Sequence, residues 1–178
     1  MSQKKCECYW PENINSTFEP SRGIKVILTS MTPFSEYIVR KMTVTNVRQY
    51  TEVFNNNYCS NLLLFLMQTS EPQAPPLEVI QFHFVAWPDH GVPDNCAVML
   101  NFIRRVRKLH LYSDSCPLLV HCSAGVGRTG TFIVLDSMIE RMKTEDTLNI
   151  YDFVQQLREQ RVLMVQTLVR VIVYLPTS

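Results

Sequence analysis

The sequence predicts an α/β (α+β) domain built on a twisted mixed β-sheet flanked by helices. Three observations predict it. β-Branched and aromatic runs lie at 24–47 and 79–86, apolar residues recur every three or four positions after 94, 129 and 150, and a short apolar strand enters a helix through a glycine-rich turn. The 178 residues suffice for one domain with a substantial core, and the domain is read as 1–178.

In chain order, Ile24 to Thr29 and Tyr37 to Val47 predict two paired strands, with Met31-Thr32-Pro33-Phe34-Ser35 as their connection. Gln49 to Asn61 and Gln68 to Pro76 are polar or proline-rich and predict surface connections, with Leu62 to Met67 as a short buried segment between them. Val79 to Ala86 alternates as a strand and runs straight into Trp87-Pro88-Asp89. From Asp94 the period changes. Val98, Phe102, Val106 and Leu109 recur beside Arg104, Arg105, Arg107 and Lys108, which predicts an amphipathic helix capped by Asp94 after Pro93. Pro117 to Val120 is a short apolar strand, Gly125 and Gly127 break it, and Thr129 to Arg141 resumes as a helix through Ile133, Val134, Met138 and Ile139. A last helix, Ile150 to Gln160, carries Ile150, Phe153, Val154 and Leu157 on one face.

Composition narrows the function classes. Apolar residues make up 46% and charged residues 19%, and the formal net charge is +1, so no basic field points to nucleic acid or to an anionic membrane surface. The run Leu62 to Met67 is far short of the roughly 20 residues that cross a bilayer. The residues after Met1 lack the apolar stretch of a secretory signal, and an intracellular, cytoplasmic location is expected. Cysteines at 6, 8, 59, 96, 116 and 122 lack paired metal-type spacing, and reduced thiols are expected. Asn15-Ser16-Thr17 matches a glycosylation acceptor and is read as chance.

The chemistry concentrates in Val120-His121-Cys122-Ser123-Ala124-Gly125-Val126-Gly127-Arg128-Thr129-Gly130. A cysteine six positions ahead of an arginine, with glycines between them, puts a nucleophile and an oxyanion binder at two ends of one tight turn. Gly125 and Gly127 permit backbone geometry that lets successive N–H groups of Ser123, Ala124, Gly125, Val126, Gly127 and Arg128 converge on a dianion, and the following helix adds its positive end. That field should depress the Cys122 thiol, because the thiolate is the nucleophile. The planar fork of Arg128 can take two phosphate oxygens, and Thr129 can hydrogen-bond the sulfur as it leaves. His121 is expected to orient the loop rather than to act as a base. Cys122 alone would read as an ordinary buried cysteine; the strand, glycines, arginine and hydroxyl together point to a phosphate cradle.

Breaking a phenol ester also needs a proton donor from outside the cradle. Asp89 in Trp87-Pro88-Asp89-His90-Gly91-Val92-Pro93 is the candidate, on a loop whose bulky anchor, prolines and glycine suit a stiff lid that closes over the site. Standing alone, this loop reads equally well as a turn whose aspartate caps a helix.

With both segments present and unsubstituted, the sequence resembles the classical protein tyrosine phosphatases. The likeness extends from Lys5-Cys6-Glu7-Cys8-Tyr9-Trp10-Pro11 to Arg161 and Met164-Val165-Gln166-Thr167, about 5–167, leaving a divergent tail at 168–178. The resemblance implies that Cys122 forms a phosphocysteine, that Arg128 binds phosphate, and that Asp89 donates a proton and then serves as base. It also implies that Gln166 positions the hydrolytic water and that Lys5 sits near the lid aspartate. Phosphotyrosyl protein is the implied substrate, with no metal and no other cofactor, no nucleic-acid partner and no direct membrane contact. The sequence style is similar to a receptor-type catalytic domain, which would make the chain the cytoplasmic portion of a membrane receptor.

The family's Lys-Asn-Arg-Tyr-type substrate loop has no counterpart in this chain. The glutamate that anchors the phosphate-binding arginine would fall before Met1, and Arg170 stands where a second glutamine is usual. These departures lead to the expectation of a domain truncated at its start and divergent at its end, with Leu168 to Leu175 as an aggregation-prone stretch. Two functions stay open: a tyrosine phosphatase, or a weakly active or inactive fragment that binds phosphoprotein or associates with another phosphatase domain. A sulfur-transfer or arsenate-reducing enzyme would share the anion loop but leave the Trp87 lid unexplained.

Overall fold

The computed structural model describes residues 8–21, 23–46, 75–88, 91, 93, 95–110 and 118–166, in two compact units that divide between Val85 and Ala86. The connection expected over Gln49 to Asn61, the segment Leu62 to Met67, residues 68–74 of the connection expected over Gln68 to Pro76, and the tail 168–178 lie outside the described residues, as do Lys5, Asp89, His90 and Asp94.

The first unit is an antiparallel sheet of four strands in sequence order: β1 Thr17–Ser21, β2 Ile24–Pro33, β3 Tyr37–Asn46 and β4 Leu77–Phe84. Alternation sends Ile24, Val26 and Leu28 of β2 and Met42 and Val44 of β3 into one buried cluster, against which Trp10, Leu77 and Val79 pack. β2 outruns its predicted end at Thr29. Met31, Thr32 and Pro33 pair with Arg40, Val39 and Ile38, so the connection shrinks to three residues, closed by Phe34 N–H to the Tyr37 carbonyl at 2.9 Å. A register shift between Leu28 and Ser30 absorbs the break in alternation that hid this extension. β1 had no sequence signal, because Thr-Phe-Glu-Pro-Ser is short and half polar; pairing with β2 makes it a strand.

Arg40 continues the inward stripe of β3 and is 93% buried by its 7% exposure. Its guanidinium donates to Gln81 Oε1 at 2.9 Å, contacts His83 Nδ1 at 3.2 Å and lies 4.8 Å from the centroid of the Trp10 ring. Gln81 in turn donates to the Tyr9 hydroxyl at 3.0 Å. Burial pushes the arginine's pKa down, and the neighbouring Cys8 thiol and Tyr9 phenol push it back up. The Tyr9-Trp10 segment is thereby fixed to the sheet through a cation and an aromatic ring.

The second unit holds α1 Cys96–His110, α2 Gly127–Arg141 and α3 Ile150–Gln160. α1 is capped by Asn95, whose side chain accepts from Ala97 N–H at 3.0 Å. Its buried stripe is Met99, Phe102, Ile103 and Val106, one position round from the predicted face, with Leu109 37% exposed at the edge. α2 is buried on several sides because it packs against both other helices. Arg107 of α1 reaches Asp136 and Glu140 of α2, and Phe102 meets Phe132 edge-on at 6.2 Å. α3 has its predicted bounds and face. Val154 joins Val134, Met138 and Val165 in a buried cluster flanked by Ile150, Phe153 and Leu157, and the Asn149 side chain caps the helix by accepting from Asp152 N–H at 3.1 Å. Leu118 to Val120 runs without ladder pairing among the described residues, so the short strand expected over Pro117 to Val120 is not part of the described sheet, which is antiparallel throughout.

Candidate active site

The site grows out of the start of α2. Val126 occupies the N-cap position, no side chain caps it, and no acidic residue stands in the first turn. The first N–H groups of the helix therefore lack an internal acceptor and, with the positive end of the helix dipole, favour an external anion. Gly125 turns the chain at φ 68°, a conformation costly for any residue with a Cβ.

Cys122 is half-buried and carries a free thiol. Burial pushes its pKa up, but the Thr129 hydroxyl and the N–H groups of Thr129, Gly125 and Val126 favour the thiolate and outweigh it, and the thiol lies below its ordinary value. The Thr129 hydroxyl is buried and makes no hydrogen bond of full geometry, so the sulfur is the group it leans toward. A buried hydroxyl left unpaired costs about 1–3 kcal/mol, which favours an ionised sulfur as acceptor.

Arg128 extends from the first turn of α2 to the Trp87-Pro88 segment. Its Nη2 donates to the Pro88 carbonyl at 3.0 Å, and the guanidinium stands 5.6 Å from the centroid of the Trp87 ring. No carboxylate pairs with Arg128 among the described residues. Trp87 is buried and its indole N–H donates to the Gly91 carbonyl at 3.2 Å, with Gly91 at φ 80°. The Trp87-Pro88 segment and the arginine are thus in direct contact, while Asp89 and His90 of the expected lid fall outside the described residues. His121 is exposed, with Nδ1 3.2 Å from the Cys122 carbonyl; Ser123 and Ala124 are also exposed.

A segment from beyond α3 closes the back of the loop. Arg161 donates from Nε to the Gly125 carbonyl at 3.0 Å and from Nη2 to the Ala124 carbonyl at 3.2 Å, and Val165 N–H donates to the Val126 carbonyl at 3.0 Å. Arg158 Nε donates to the Met164 carbonyl at 3.0 Å, gripping the same peptide group from its other side. Leu163, Val165 and Gln166 adopt φ of 63°, 72° and 54°, so three residues with side chains occupy the left-handed region within one turn. Such residues cost on the order of 1–3 kcal/mol each and persist where surrounding contacts over-determine them. Here the full burial of Val165 and its bond to the loop do so, and Gln166 is thereby set one residue from the cradle backbone. Sequence reading did not name Arg158 and gave Arg161 no role beyond its place in the resemblance, because their acceptors are backbone carbonyls, which leave no side-chain signature.

Gly130 permits the close approach of that turn. A Cβ there would stand 2.3 Å from Val165 N and 3.2 Å from the Met164 carbonyl carbon. Both are backbone atoms, so Gly130→Ala should destabilise the chain by about 1–3 kcal/mol and separate the turn from the loop. Thermal melting checks the first effect and phosphate release the second; an unchanged melting temperature would show that the turn moves freely.

No group of three or more His, Cys, Asp or Glu side chains is arranged for a metal among the described residues, and no helix there is long and apolar enough to cross a membrane. A family model described as protein-tyrosine phosphatase matches residues 1–175. The chain is 42% identical over 168 residues to receptor-type tyrosine-protein phosphatase eta of Homo sapiens, covering 94% of this chain and 10% of that protein. It is 40% identical over 166 residues to receptor-type tyrosine-protein phosphatase F of Bos taurus, covering 93% and 7%. Tyrosine-protein phosphatase Lar of Drosophila melanogaster is 40% identical over 163 residues, covering 92% and 7%. The chain therefore spans about a tenth or less of the length of these three relatives. With a family model matched along almost all of its length and a cysteine-arginine loop of this geometry, the chain belongs to the protein-tyrosine phosphatase family.

Proposed function

We propose that this chain hydrolyses phosphotyrosyl proteins through a phosphocysteine intermediate. The observation that carries the proposal is the Cys122 sulfur, held below its ordinary pKa despite burial by Thr129, Gly125 and Val126 in a loop that ends at Arg128. In the first step the thiolate attacks phosphorus, the bond to the tyrosyl oxygen breaks, and Asp89 gives its proton to that oxygen. Arg128 and the loop N–H groups take the phosphoryl oxygens as charge redistributes over them. In the second step Gln166 orients a water, Asp89 accepts its proton, and the water oxygen displaces sulfur to yield inorganic phosphate. Thr129 and the N–H groups of Gly125 and Val126 stabilise the departing thiolate. Lys5 supports Asp89 in the closed state, His121 orients the loop, and Trp87, Pro88, His90 and Gly91 form the lid. No step calls on a metal. The receptor-type names of relatives support a setting at the cytoplasmic portion of a membrane receptor.

The test is release of inorganic phosphate from a phosphotyrosyl peptide by this chain, with labelled phosphate trapped on Cys122 by rapid quenching. Peptide binding with neither release nor label would overturn the enzymatic reading in favour of a phosphoprotein-binding segment. Asp89→Ala should slow turnover by about 10²–10⁴-fold while phosphopeptide affinity stays near that of the parent. Equal losses in turnover and affinity would sink the proton-donor role.

A further inference from the structure

We propose that Arg161 is a positioning residue for the phosphate loop: by holding the Ala124 and Gly125 carbonyls from behind, it aims the N–H groups of Gly125 and Val126 at the Cys122 sulfur. This deepens the proposed function and rests on it. In a trans peptide the carbonyl and the N–H of the next residue point in opposite directions across one rigid plane. The carbonyl of Ala124 and the N–H of Gly125 belong to one such plane, and the carbonyl of Gly125 and the N–H of Val126 belong to the next. Arg161 holds the oxygen end of each, at 3.2 and 3.0 Å. The nitrogen ends of the same two planes are among the groups that lower the Cys122 thiol's pKa. Val165 N–H extends the pattern to a third plane by taking the Val126 carbonyl.

The loop needs this external hold because its own sequence leaves it soft. Gly125 is conformationally permissive, and at φ 68° the peptide after it could rotate at little cost. A Cβ at Gly125 would stand 3.0 Å from Arg161 Nη2, so the glycine also leaves room for the guanidinium. Arg161 is itself well anchored: its backbone N–H donates to the Leu157 carbonyl at 2.9 Å and ends α3, the helix that carries Val154 into the core. A lysine could satisfy one carbonyl but lacks the rigid fork that takes two.

The experiment compares the full chain with Arg161→Met and Arg161→Lys, reading the pH dependence of Cys122 alkylation by iodoacetamide alongside kcat/KM for a phosphotyrosyl peptide. His121 and Arg128, the ionisable side chains at the two ends of the loop itself, are unaltered in each variant. Arg161→Met should move the alkylation midpoint to higher pH and lower kcat/KM on the order of tenfold, with kcat carrying most of the loss. Arg161→Lys should fall between, and added guanidinium ion should partly restore Arg161→Met. If both variants are folded by thermal melting and alkylate with the parent's midpoint, the proposal is overturned. If Arg161→Met fails to fold, Arg161→Lys decides: a parental midpoint overturns the proposal and a raised one supports it. A parent whose Cys122 alkylates only in the ordinary thiol range would instead overturn the activated-nucleophile reading on which the proposal stands.

Discussion

Cys122→Ser should lower phosphate release from a phosphotyrosyl peptide by at least about 10⁴-fold while the peptide still binds. The loop spends its hydrogen bonds on a thiolate: three N–H groups and the Thr129 hydroxyl lower the thiol's pKa against the opposing effect of burial. A serine hydroxyl is far less acidic than a thiol, so the same field leaves it protonated and a poor nucleophile. Under the proposed function phosphate is held by other groups, Arg128 and the uncapped start of α2, which the substitution leaves in place. Residual turnover within tenfold of the parent would mean that another group attacks phosphorus. The pH dependence has a defined sign. The depressed thiol of the folded chain keeps its charge to lower pH than the unfolded thiol does. Its contribution to stability is therefore fully present above the unfolded pKa and is lost as pH falls through the folded one. Cys122→Ser removes this linkage, so parent and variant should differ in the pH slope of their melting temperatures through that window.

Arg128→Lys should reduce kcat/KM by about 10²–10³-fold although the charge is kept. A lysine ammonium is a point donor that cannot grip two phosphoryl oxygens in one plane. It also loses the planar fork that now donates to the Pro88 carbonyl at 3.0 Å beside Trp87. Both losses act on one residue, so the variant should weaken vanadate or phosphate binding and also loosen the lid segment, visible as increased exposure of Trp87 fluorescence to quencher. A loss of turnover with unchanged oxyanion affinity and unchanged quenching would confine Arg128 to another role.

The elements most legible in the sequence are those whose signal is local and periodic. α3 has its predicted bounds because a clean apolar face marks it in the sequence, and in the structure the Asn149 side chain caps its start. β2 and β3 were legible in their apolar parts, but the extension through Met31, Thr32 and Pro33 is made by cross-strand pairing and carries no apolar alternation. β1 is a strand only because β2 offers it an edge. Arg40 illustrates the same limit. A cation in a strand reads as solvent-facing, and its burial becomes intelligible only when Trp10, Gln81 and His83 supply a ring and hydrogen-bond acceptors around it.

By itself the sequence determined the motif on which the proposed chemistry rests: a cysteine and an arginine six positions apart, glycines where the chain must turn, and a hydroxyl one position after the arginine. Those features are local, and a turn of a few residues is enough to bring them near one another. Only the tertiary structure decided how the loop is held open. The groups that fix its carbonyls come from Arg161, 36 and 37 residues away from Gly125 and Ala124, and from the backbone of Val165. Backbone acceptors have no side-chain identity, so no residue type in the loop announces its partners, and chain packing alone brings them together.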